Sequence, residues 1–73
     1  MNVYQAIGTI IEERRSRRIV PTHALLRDVM ARSEGDRSRK EEEMRGLLRM
    51  GIIRVGRTLN DYYVKFAEHG MDV

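Results

Sequence analysis

The sequence contains no cysteine, no tryptophan and a single proline. Without cysteine there is no disulfide scaffold, no thiolate zinc site and no cysteine nucleophile. Only two histidines occur, His23 and His69, far apart in the chain. A histidine-based metal centre therefore has too few ligands, and neither a metal nor a cofactor is expected. No apolar run approaches the roughly 20 residues that cross a membrane, and nothing reads as a signal peptide. The expectation is a cytoplasmic protein with no membrane partner. Catalytic patterns are missing as well: there is no nucleophile–base pair at a useful spacing and no phosphate-cradling glycine loop. At 73 residues the chain is too short to enclose a small-molecule substrate as well as fill a core, so binding is expected and an enzyme is not.

What is present is a single-domain mixture, 41% hydrophobic and 34% charged, which suits a small core under a heavily charged exterior. The net charge is +3, and lysine appears only at Lys40 and Lys65, so arginine carries the basic character. Arginine forks onto phosphate or guanine, whereas lysine acts as a point charge. The excess concentrates in Arg14, Arg15, Arg17 and Arg18, set against Glu12 and Glu13. Such a run is the footprint of a nucleic-acid partner, and equally the cationic end of a helix.

Local signals divide the chain into six elements. Asn2 and Gln5 form a capping-box pair that opens a first helix, whose apolar stripe is Val3, Ile7, Ile10 and Ile11, fading near Ser16. Ile19 and Val20 are a β-branched pair that predicts a short edge strand closed by Pro21. Thr22 is then the expected N-cap of a second helix carrying Leu25, Leu26, Val29 and Met30. Residues 33–36 are turn chemistry, and Ser38 with Glu41 reads as the capping box of a third helix. Met44, Leu47 and Leu48 point inward, so removing either leucine is expected to cost about 2–5 kcal/mol. Gly51 falls where a left-handed cap is wanted. Residues 52–58 and 61–66 alternate as two strands joined at Leu59 and Asn60, with Tyr62, Val64 and Phe66 sharing the buried face.

The fold class is therefore α+β, mainly α: three helices with a small antiparallel sheet made of a short strand at 19–20 and a hairpin at 52–66. This order resembles the winged helix-turn-helix superfamily over residues 2–66, with 67–73 left as a frayed tail. The passage Met44-Arg45-Gly46-Leu47-Leu48-Arg49-Met50-Gly51-Ile52-Ile53-Arg54-Val55-Gly56-Arg57 is similar to a recognition helix running through a glycine cap into the first wing strand.

The resemblance implies double-stranded DNA as partner, a third helix in the major groove, and the role of a small prokaryotic or mobile-element transcriptional regulator. A turn of 100° per residue from Met44 puts Arg39, Glu42, Gly46 and Arg49 on the outward face, with Glu43 and Arg45 flanking it. The implied contact set adds Arg37, the second-helix start at Thr22 and His23, and Arg57, Thr58 and Asn60 in the wing. Glu41-Glu42-Glu43 works against phosphate: Glu41 is expected in the capping box, and Glu42 remains to meet a cytosine amino group. The competing reading is a winged helix that docks a protein or a second copy of itself through its mixed-charge third helix.

Overall fold

The computed structural model describes residues 1–19 and 22–67. Six elements follow in order: α1 (Val3–Ser16), β1 (Ala24–Leu25), α2 (Leu26–Arg32), α3 (Arg37–Arg49), β2 (Ile53–Arg57) and β3 (Tyr62–Phe66). The strands form one antiparallel sheet in the order β1-β3-β2, so the hairpin's second strand is central. Element order and sheet order together are consistent with a winged-helix arrangement.

Helix α1 starts where its sequence says. The Asn2 side chain accepts from Gln5 N at 2.8 Å, and the Gln5 side chain accepts from Asn2 N at 3.0 Å, which satisfies two of the helix's orphan donors. Its stripe of Val3, Ala6, Ile7 and Ile10 is buried against Ala24, Val29, Met44, Ile53 and Val64, so one core is shared by all three helices and the sheet. Ser33 is the buried polar residue of this core, and its hydroxyl donates to the Val29 carbonyl at 2.6 Å. An ion pair at 2.8 Å between Arg32 and Glu13 links α2 to α1, and the hydrogen bond from Arg32 lowers the Glu13 pKa from its usual carboxylate value.

Both long helices end in the same device. After α3, Gly51 has φ +73°, Gly51 N donates to Leu48 O and Ile52 N to Leu47 O, each at 3.0 Å. This paired closure needs a residue in the left-handed region, which glycine enters without penalty. After α1, Arg18 N donates to Arg15 O and Ile19 N to Arg14 O, but the left-handed residue is Arg18, with φ +57°. A side chain there costs about 1–2 kcal/mol, partly offset by the extra unfolded-state entropy a glycine would carry. Arg18→Gly is therefore expected to stabilise the domain by about 0.5–1 kcal/mol, read as a rise of roughly 2–8 °C in the thermal midpoint.

The same cap takes Ile19 out of the sheet. The third strand of the sheet is Ala24–Leu25, not residues 19–20. Ile19 closes α1 through its backbone N–H, and its side chain is 39% exposed, while Val20 lies outside the described residues. Ala24 pairs with Val64 and is fully buried in the core shared by the helices and the sheet. Because β1 occupies 24–25, Thr22 does not cap α2: the helix begins at Leu26 behind Leu25, with no side-chain cap.

Helix α3 is capped two residues earlier than Ser38. Asp36 is its N-cap and accepts from Arg39 N at 2.9 Å, a carboxylate in place of a hydroxyl. Along this helix Met44 is buried and Leu47 half-buried, but Leu48 is 41% exposed. The large cost expected for removing Leu48 therefore does not apply. The hairpin pairs Ile53 with Phe66 and Val55 with Val64, and it overhangs the core: Val55 and Tyr62 are exposed although they share a face with buried Ile53 and Val64.

Candidate nucleic-acid interface

The outward face of α3 is built by the inward anchoring of Met44. Lys40 donates from Nζ to the Met30 carbonyl at the end of α2, at 2.6 Å, and Glu43 accepts from Val3 N at the start of α1, at 3.4 Å. These two contacts lock the helix's roll, so Arg39, Glu42, Arg45 and Arg49 face solvent. Among the described residues, none of these three arginines makes an ion pair. A Cβ at Gly46 would meet nothing within 4 Å, so the backbone there stands open to a partner.

The acidic run is distributed differently from the sequence expectation. Glu41 takes no part in a capping box; it accepts from Arg37 Nε one helical turn away, at 3.2 Å. Glu43 turns to α1, and Glu42 is left as the solvent-facing carboxylate of the three. Arg37 is half of an exposed i,i+4 pair, an arrangement that contributes little to stability and yields readily to a stronger anion.

Beside this face an open groove of about 710 Å³ runs between α2 and α3, floored by Leu26, Met30, Ala31 and Met44. The turn of the hairpin reaches its rim, where Asp61 pairs with Arg27 of α2 at 3.3 Å. Within the turn, the Thr58 hydroxyl donates to the Asp61 carbonyl at 2.9 Å and accepts from Asp61 N at 2.8 Å. Thr58 is therefore engaged in closing the turn and is removed from the contact set. Asn60 remains exposed beside Leu59, which is 94% exposed at the tip. Arg57 lies over the Tyr62 ring, 5.8 Å from its centroid, on the face of the hairpin that also carries the core residues.

Thr22 and His23 are corrected too. They precede β1 rather than a helix, so they offer no row of helix N–H groups. His23 stacks on Tyr63 instead, with ring centroids 4.4 Å apart and planes 18° from parallel. Sequence reasoning missed Arg54 and Lys65, which stand opposite each other on the sheet's outer face. Their period-2 spacing from Gly56 and Tyr63 was the available signal.

Among the described residues no three histidine, aspartate or glutamate side chains are grouped to hold a metal ion, and no helix is long and apolar enough to cross a membrane. No family model matches the chain, and no curated protein or solved structure matches it either.

Proposed function

We propose that this chain is a DNA-binding module that lays α3 in the major groove of duplex DNA and rests its hairpin against the adjacent backbone. One observation carries the reading: among the described residues Arg39, Arg45 and Arg49 face solvent without an ion pair, while Glu41 and Glu43 are turned to partners of their own. The α3 surface offered to a ligand is thus cationic, although the helix as a sequence is nearly balanced. Arg57 and Asn60 extend the contact to the wing, and Glu42 is placed to accept from a cytosine amino group, a direct base contact.

The test is binding to a mixed-sequence duplex, measured by fluorescence anisotropy over a range of salt. Four arginines on phosphate or base edges give a slope of log K against log salt of about −3 to −4. No complex at micromolar protein in low salt would sink the reading. So would a stable homodimer that occludes α3, which is the outcome favoured by the exposure of Leu48 on α3 and of Met50 at its C-cap.

A further inference from the structure

The sheet has a second face that the α3 reading leaves unused. Leu25, Tyr63 and Gly56 line up across its three strands, next to the directly opposed pair Arg54 and Lys65, and none of these five is buried. Two cations facing each other across a ladder destabilise a hairpin unless an anion joins them. Among the described residues no carboxylate pairs with either. Beside them Tyr63 is held in place from two directions. A Cβ at Gly56 would overlap its ring, so the tyrosine lies across the bare glycine backbone, and His23 stacks on it. The result is a flat surface with two unpaired cations next to a pre-stacked pair of aromatic rings.

We propose that this outer sheet face binds single-stranded DNA, separately from α3. The occupant follows from the chemistry. Phosphates match Arg54 and Lys65, and the His23–Tyr63 stack extends naturally onto an unpaired base, which a duplex does not expose. An acidic peptide would match the cations and leave the rings unused. Phosphate and base account for the four side chains named, and the Tyr63 hydroxyl lies over Gly56, so none is left for a ribose 2′-hydroxyl and the strand proposed is DNA. The inference does not rest on the duplex reading, because the two faces share none of the residues named.

The experiment compares the full chain and its variants on a labelled oligodeoxythymidine of about 15 nucleotides and on a duplex. At about 0.1 M salt, Arg54→Gln with Lys65→Gln is expected to weaken single-strand binding about 25-fold and leave duplex binding within about twofold. His23→Ala, a change at a half-buried residue just before β1 that leaves the strand pairings in place, is expected to weaken single-strand binding at least about fivefold. Arg39→Ala with Arg49→Ala should leave it unchanged. Circular dichroism confirms that each variant is folded. The proposal is overturned if the wild-type chain does not bind the oligonucleotide, if the Arg54/Lys65 variant weakens duplex and single strand equally, or if His23→Ala has no effect. It is also overturned if oligouridine or a polyglutamate peptide of similar length binds as tightly as oligodeoxythymidine.

Discussion

Replacing Ile7 with alanine is expected to lower the unfolding free energy by about 3 kcal/mol, with a range of roughly 2–5. Ile7 is, with Ile53, the largest of the fully buried side chains, and it belongs to the core that helices and sheet share. Alanine is the better helix former, but that gain is only a few tenths of a kcal/mol, so the cavity decides the sign. A chain of 73 residues has about 4–11 kcal/mol to lose, so the variant sits close to half of its stability. The thermal midpoint should fall by roughly 10–25 °C, and the urea midpoint should fall with an unchanged slope. A drop smaller than about 1 kcal/mol would mean that α1 does not pack as described. The contrast is Leu48→Ala, which sits half in solvent and belongs among surface changes.

Removing Arg39, Arg45 and Arg49 together is expected to weaken duplex binding by two to three orders of magnitude at about 0.1 M salt. Each arginine that neutralises a phosphate releases counterions, and three of them account for about 2.7 of the predicted salt slope. The variant's slope should therefore fall to about −1, carried by Arg57. Folding should be preserved, since all three side chains are exposed and alanine favours a helix. Glu42→Gln is the internal control: it removes the uncompensated carboxylate and should tighten binding to sequences that lack the matching cytosine. If the triple variant bound duplex as tightly as the wild-type chain, with the same salt slope, α3 would not be the DNA-facing helix.

How much of this was legible before the fold can be judged from particular residues. The Asn2–Gln5 box, the Gly51 cap, the Leu59-Asn60 turn and the face shared by Ile53 and Val64 were all readable. Each depends on residues within a few positions or on a simple period. The outward set of α3 was readable too, because Met44 fixes the helix's roll and the rest follows from 100° per residue. The errors fall where two local signals competed. Ile19-Val20 has better strand propensity than Ala24-Leu25, but Ile19 is held by the α1 cap while Ala24 is buried in the core and paired with Val64. Ser38 and Asp36 are both good caps, and Asp36 wins by meeting Arg39 N.

The amino-acid sequence alone determined much of the local architecture: where α1 starts, where α3 stops, where the chain reverses in the hairpin, and that arginine rather than lysine supplies the positive charge. Those properties come from backbone conformational preference and side-chain chemistry acting over one or two turns. The tertiary structure decided which two residues complete the sheet, which carboxylates are neutralised, and which cations stay unpartnered. Glu43 meets Val3 across forty positions of chain, and Arg54 meets Lys65 only because the hairpin register sets them opposite. Pairings of that kind depend on how packed elements are brought together, so no short window of sequence contains them.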